Sequence, residues 1–305
     1  MKRVSPGGVP RFEHRLRHWY ARWLRPRLSR ELDLQRLKLC YFVWGYWPVL
    51  RVRTIGVRDR LRLVARFLRI DWYVLHSHRP REMAQVCATL AARPARPGEV
   101  MVEAGCWNGG SSAKFSLMCR LLGYRLHIYD SFQGVELRDA AVAANEYDFS
   151  GEYAASEATV RGNLERFGAA EVCSIHPGWF ETTLAAAPVT DVVGAAFIDC
   201  DAAKGTREVL FGVVPSLAPD GVIFSQDFHI PSVRELLQDP RTWEQLGRGA
   251  PRIERLGRQL AAVRFAEYAE RRVLRDRRRD QERRIADWHM GERRRRDRRV
   301  ATRRA

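Results

Sequence analysis

The sequence predicts an α/β fold: a mostly parallel, seven-stranded sheet with helices on both faces, carrying basic helical extensions at either end. Three observations predict it. From residue 99 onward, short apolar runs alternate with helical patterns, as in strand–helix–strand units. Those runs are apolar at consecutive positions, as strands covered on both faces are. Charge falls in blocks: residues 1–98 hold 22 Lys and Arg against 6 Asp and Glu, 271–305 hold 16 Arg against 6, and 99–270 are left at −9 in a chain of net +17. The basic pI therefore describes the flanks and not the centre.

The elements follow in order. EVMVEAG (99–105) reads as a buried strand and 110–122 as the helix after it; YRLHIYD (124–130) is the second strand. EATVRGNLERFG (157–168) is a helix ending at glycine, EVCSIHP (171–177) a third strand, and GAAFIDCD (194–201) a fourth. TREVLFGVVPSLA (206–218) is a helix, GVIFSQDF (221–228) a fifth strand, 231–245 a helix, and 251–266 a tight pair of final strands. Upstream, 10–38, 56–76 and 79–92 have helical spacing. The domains read as a basic, aromatic-rich helical extension over 1–78, a catalytic α/β domain over 79–267, and an Arg-rich tail, helical or disordered, over 268–305.

Composition excludes several classes. The six cysteines (Cys40, Cys87, Cys106, Cys119, Cys173, Cys200) form no CxxC and no Cys/His cluster, which argues against structural zinc and suits a reducing, cytoplasmic setting. The start MKRVSPGG lacks an apolar segment behind its basic residues, so no signal peptide is expected. The longest apolar run, LCYFVWGYWPVL (39–50), falls short of the roughly 20 residues of a spanning helix. The basic amphipathic stretches at 10–38 and 56–76 suit either peripheral contact with an anionic membrane or packing on the domain with Arg left in solvent. The tail suits either nucleic acid or plain solvation, and its one aromatic, Trp288, gives little for base stacking.

In an open α/β sheet, ligands bind beyond the carboxyl ends of the strands, so the turn after the first strand carries the chemistry. From Gly105 it reads GCWNGG. A dinucleotide fingerprint needs glycine where Trp107 stands, and a P-loop needs Gly-Lys-Ser/Thr, which is absent. What remains is an acid, Glu103, able to meet an ammonium, with Gly105 and Gly109 letting the backbone run close to a compact ligand. The next strand ends in Asp130, a carboxylate placed to accept ribose hydroxyls. A ligand with an amino-acid end and a nucleoside end but no phosphates is S-adenosylmethionine (SAM).

Four stretches then resemble the macrocin O-methyltransferase family, which methylates sugar hydroxyls of macrolide-type and aminocoumarin products: VEAGCWNGGSS (102–112), YDSFQG (129–134), HPGWFETTL (176–184), and FIDCD (197–201) followed by PDGVIFSQDFH (219–229). The resemblance covers about 99–267. It implies a Rossmann-like class I methyltransferase fold, methyl transfer to oxygen, and a divalent metal, usually magnesium, near the acceptor. On its motifs it adds Trp107, Gly110, Ser111, Ser131, Phe132 and Gly178 to the SAM contacts. Trp179 and Phe180 either flank the adenine or pack in the core, and His176 is structural or lines the adenine pocket.

Methyl transfer to an alcohol needs in-line approach and loss of the hydroxyl proton. A metal can lower the hydroxyl's pKa as it does that of bound water. Magnesium takes hard oxygen ligands. Asp199, Gln226 and Asp227 are the expected ligands, with Asp201 either a further ligand or a loop cap. Asp199 or a metal-bound hydroxide is the expected proton relay, and His229 either a general base, an outer ligand or a polar loop residue. Two features depart from the family. Gln226 stands where members carry a first acid of a pair, and AAKGT (202–206) replaces an aromatic and a serine, so the acceptor pocket differs. The favoured partner is a small-molecule or glycan acceptor. RNA recruited by the flanks, an inactive binding protein and a homo-oligomer stay open, the acidic centre counting against RNA. The insertion at 135–156 is compatible with a lid over the acceptor.

Overall fold

The computed structural model describes residues 44–136 and 147–265; the stretch at 10–38 expected to be helical, Cys40, the middle of the 135–156 insertion and the Arg-rich tail lie outside the described residues. The helices are α1 Trp47–Leu50, α2 Val57–Tyr73, α3 Pro80–Ala91, α4 Gly110–Leu122, α5 Glu157–Phe167, α6 Ala203–Val213, α7 Pro231–Gln238 and α8 Pro240–Gln245. The strands are β1 Val100–Ala104, β2 Arg125–Asp130, β3 Cys173–Pro177, β4 Val193–Ile198, β5 Leu217–Ser225, β6 Arg252–Arg255 and β7 Ala261–Arg264. They form one sheet in the order β3-β2-β1-β4-β5-β7-β6. Strands β1 to β5 run parallel, and β7 lies antiparallel to both β5 and β6.

Every residue of β1 and β4 is buried, which explains their unbroken apolar runs. Period-two alternation splits the side chains between two cores. Met101 joins Phe67, Ile70, Met83, Leu90, Phe115 and Phe224 on the face covered by α2, α3 and α4. Val100, Val102 and Ala104 join Val209, Leu210, Ile223 and Trp243 on the other. Residues of α1 and α2 belong to the first core, so the N-terminal helices share the interior of the sheet domain. The outer face of α2 is basic and partly apolar, with Arg58, Arg62, Arg66 and Arg69 exposed beside Val57, Leu61 and Tyr73.

Register places the site. Ala104 pairs with Tyr129 and with Ile198, and Ile198 pairs with Ser225, so four strands end in one row. The ladder runs one step further, with Gly105 N donating to Tyr129 O, Asp199 N to Ala104 O and Gln226 N to Ile198 O, each at 2.9 Å. The residues just beyond that row are therefore brought side by side.

Three boundaries differ from the sequence expectation. Helix α6 begins at Ala203, inside AAKGT, and ends at Val213, because Pro215 has no N–H to continue it and a 3₁₀ turn follows over Val214–Ser216. Strand β5 starts at Leu217, the turn-like PDG being taken up where the β4–β5 register shifts. The helix expected over 231–245 is two helices, broken before Pro240, where the Asp239 side chain accepts from Arg241 N at 3.0 Å.

Candidate active site

A cleft open to solvent lies over the carboxyl ends of β1, β2 and β4, where open α/β sheets bind their ligands. Of the residues anticipated from sequence, Gly105, Trp107, Gly110, Ser111, Asp130, Ser131, Trp179, Phe180 and Asp199 line it. Glu103, Gly109, Phe132, Gly178, Gln226, Asp227, His176 and His229 lie outside the lining. Asp201, also anticipated, lines it too, and His76, His78, Glu136, Tyr153 and Glu208 are among the remaining wall residues.

The glycine turn is built around two close approaches. Gly105 has φ 84°, and a Cβ there would stand 1.9 Å from the Asp199 carbonyl oxygen. A Cβ on Gly110 would lie 2.8 Å from His76 Cβ. Trp107 adopts φ 47°, a left-handed conformation uncommon for a bulky residue. Asp130 holds the turn in place: Oδ2 accepts from Cys106 N at 2.7 Å and Trp107 N at 3.2 Å, and Oδ1 from Phe132 N at 2.8 Å. Backbone donors thus occupy three of a carboxylate's roughly four acceptor positions, leaving about one toward the cleft. Gly178 N donates to Asp130 O at 2.9 Å, which brings Trp179 and Phe180 to the same rim.

Glu103 is fully buried beneath the turn. Neither of its carboxyl oxygens has a hydrogen-bond partner among the described residues, although Ser111 and Ser112 lie close by. Burial pushes this carboxyl up to about 8, against the pull of those hydroxyls; Asp199 and Asp130 push the same way as burial.

Beyond β4 and β5, oxygens of Asp199, Asp201 and Asp227 lie within 4.8 Å of one another. Asp227 Oδ2 accepts from Cys200 N at 2.8 Å and Asp201 N at 2.9 Å, tying the two loops together. Asp201 holds φ 54°. Burial first, then neighbouring carboxylates, pushes Asp199 up to about 7 and Asp227 up to about 8, and raises Asp201 well above its ordinary value. Crowded carboxylates with raised proton affinity suit a hard divalent cation. Gln226 is turned elsewhere, with Nε2 donating to the buried Glu82 at 3.3 Å. His229 Nε2 lies 3.4 Å from Gln259 Nε2, against the chain between β6 and β7.

The residue that sequence reasoning missed is His78. Its Nε2 lies 2.7 Å from Asp199 Oδ2, and its ring meets Phe197 edge-on at 5.7 Å. Burial, with the charge of Lys114 adding to it, lowers its pKa to about 3, so the imidazole is neutral, and one hydrogen bond joins Nε2 to the Asp199 carboxyl. The available signal was HSH (76–78): at period two, extended chain points both rings to one side.

The strand order, the glycine turn after β1, the acid ending β2 and the cleft above them define the class I fold of SAM-dependent methyltransferases. Within that class, the chain belongs to the macrocin O-methyltransferase family, whose model matches residues 72–258. It is 31% identical over 166 residues to the 8-demethyl-8-(2,3-dimethoxy-alpha-L-rhamnosyl)-tetracenomycin-C 4'-O-methyltransferase of Streptomyces olivaceus, covering 52% of this chain and 63% of that one. It is 29% identical over 184 residues to the mycinamicin III 3''-O-methyltransferase of Micromonospora griseorubida, covering 57% and 72%. The chain therefore matches just under two thirds of the first relative's length. Among solved structures it is similar to the O-methyltransferase NovP, at 20% identity and a TM-score of 0.49, over 69% of this chain and 81% of that one.

Proposed function

We propose that this chain moves the methyl group of SAM to a hydroxyl of a sugar or glycosylated small molecule, assisted by a divalent cation, with magnesium the first choice. The observation that carries this reading is the meeting, in one cleft, of the Asp130-braced glycine turn with Asp199 and Asp201, two members of the carboxylate cluster whose third, Asp227, lies buried behind them. The two relatives bear names of O-methyltransferases, one acting on a rhamnosyl-tetracenomycin and one on mycinamicin III.

In this reading the turn at Gly105 and Gly110 cradles SAM. Asp130 offers its remaining acceptor position to the ribose, and Ser111 and Ser131 stand beside the ligand. Trp179 and Phe180 border the adenine. A sulfonium and an ammonium arriving above Glu103 supply the positive charge that this buried carboxyl lacks. Asp199, Asp201 and Asp227 hold the cation, which when bound lowers the pKa of an oxygen it touches. The acceptor oxygen forms a bond to the methyl carbon as the carbon–sulfur bond breaks toward sulfur. The hydroxyl proton passes to Asp199, leaving S-adenosylhomocysteine and a methyl ether. Asp199 lines the cleft and belongs to the carboxylate cluster, the position a base for this hydroxyl needs. His229 has no part in this route.

RNA as acceptor is the weaker reading, because Asp130, Glu136, Asp199, Asp201 and Glu208 all face the cleft and repel phosphate. Among the described residues, no helix is long and apolar enough to cross a membrane.

The test is calorimetric titration of SAM into the full chain, with and without magnesium, beside Asp130→Ala. Methyl transfer to sugar acceptors is then followed by mass spectrometry. SAM binding lost in the variant supports the reading; a folded wild type that binds no SAM ends it.

A further inference from the structure

The segment between α2 and α3 runs as a strap across the amino-terminal end of α4. Asn108 Nδ2 donates to Leu75 O at 3.2 Å, pinning the strap to the glycine turn. His76 packs against Gly110, where no side chain would fit. Behind the strap lies a buried polar anchor. Asp71 Oδ1 lies 2.5 Å from Lys114 Nζ and 2.6 Å from His76 Nε2, while Oδ2 accepts from Tyr46 Oη at 2.7 Å. Lys114 is fully buried and the Asp71 side chain is 2% exposed.

Burying an ion pair is a poor route to stability, because desolvation cancels much of the attraction. Its effect here is geometric: side chains from α2 and α4, with Tyr46 just before α1, lock the strap two residues upstream of His78. With the backbone held, the His78 ring stands between Phe197 and Asp199, its side chain 7% exposed and Nε2 2.7 Å from Asp199 Oδ2.

We propose that His78 is a positioning residue. The strap delivers an imidazole from the N-terminal segment to fix the Asp199 carboxylate in the rotamer that faces Asp201 and Asp227. A carboxylate that ligates a cation is held in place by the groups that donate to it, and removing such an outer partner commonly weakens cation affinity ten- to a hundredfold. The proposal rests on the cation reading above. It makes residues 71–78 part of the active site, and the family match, which starts at residue 72, takes in almost all of that segment.

The experiment measures Mn²⁺ affinity by electron paramagnetic resonance and SAM affinity by calorimetry on the full chain, wild type beside His78→Leu and His78→Gln. Glutamine places an amide N–H near the position of Nε2. The expected result is a tenfold or greater loss of Mn²⁺ affinity in His78→Leu, recovery to within about threefold of wild type in His78→Gln, and SAM affinity unchanged in both. In turnover, His78→Leu lowers kcat while the KM for SAM stays put. Equal Mn²⁺ affinity in wild type and His78→Leu overturns the proposal. So does a glutamine variant as impaired as leucine, the outcome that also covers a leucine variant that fails to fold. A wild type that binds SAM but no Mn²⁺ ends the cation reading itself and this proposal with it.

Discussion

Gly105 and Asp199 meet where no side chain can stand: a Cβ on residue 105 would lie 1.9 Å from the Asp199 carbonyl oxygen and 2.9 Å from its carbonyl carbon. The glycine after β1 therefore sets how closely the β4 loop approaches the SAM turn. In a parallel sheet neither loop can retreat without disturbing the ladder, since Asp199 N donates to Ala104 O at 2.9 Å. Gly105→Ala adds a backbone clash to left-handed strain at φ 84°. The expected cost is about 3 kcal/mol or more, read by urea unfolding, with SAM binding lost in whatever fraction stays folded.

The raised carboxyls predict an unusual pH response for the cation-free chain. Asp199 at about 7, with Glu103 and Asp227 at about 8, binds more protons folded than unfolded between the ordinary carboxylate range and pH 8. Stability from these groups therefore falls as pH rises. The histidines act in the opposite sense around and below pH 6.5, His76 and His78 lowered to about 4 and 3 and His127, His176 and His229 lowered as well, because the folded state holds them neutral. From about pH 6.5 to 8 the unfolded histidines lose the rest of their protons, and the three carboxyls outweigh them. The melting temperature of the cation-free chain should drop across that window. Magnesium should raise it more at pH 8 than at pH 6.5, because binding needs the deprotonated ligands. A melting temperature that rises from pH 6.5 to 8 without cation contradicts this account.

Lys114 and Asp71 form a pair that tolerates removal together and not singly. Lys114→Met takes the cation away from a buried carboxylate that also meets His76 and Tyr46, and the expected loss is about 3–5 kcal/mol. Lys114→Met combined with Asp71→Asn removes both charges and should recover most of it. Denaturant unfolding of the four members of this cycle gives the coupling directly. A double variant as unstable as the single one would show that packing, and not charge, dominates there.

The fold was legible because its signals are local. Consecutive apolar residues in VMVEA and VGAAFI mark strands covered on both sides, and Gly123 and Gly168 mark helix ends. The row formed by Gly105, Asp130 and Asp199 was legible for the same reason, since each stands just after or at the end of a parallel strand. His78 was not, because its partner is 121 residues away and the short HSH pattern says nothing of what its rings meet. Nor was the turning of Gln226 toward Glu82, a contact across 144 residues. Gln226 and Asp227 are neighbours in the turn after β5, yet the Gln226 amide nitrogen reaches Glu82 while the Asp227 carboxylate reaches the β4 loop.

That difference separates two carboxylates of the cluster from each other and from the amide. Asp227 Oδ2 receives two backbone N–H groups, so Asp227→Asn disturbs the loop as well as the cluster, at about 1–3 kcal/mol for hydrogen bonds to a charged group. Asp201 contributes its carboxylate to the cluster from a left-handed backbone, a conformation asparagine adopts as readily. Asp201→Asn should leave stability within about 0.5 kcal/mol while Mn²⁺ affinity falls at least tenfold. Gln226→Ala, by contrast, loses only the bond to Glu82 and should keep Mn²⁺ affinity within about twofold of wild type, unlike the outer partners of true ligands. Titrating Mn²⁺ into the three variants decides the ligand set. Loss on Gln226→Ala with retention on Asp201→Asn would assign the third position to the amide and move Asp201 to the loop alone.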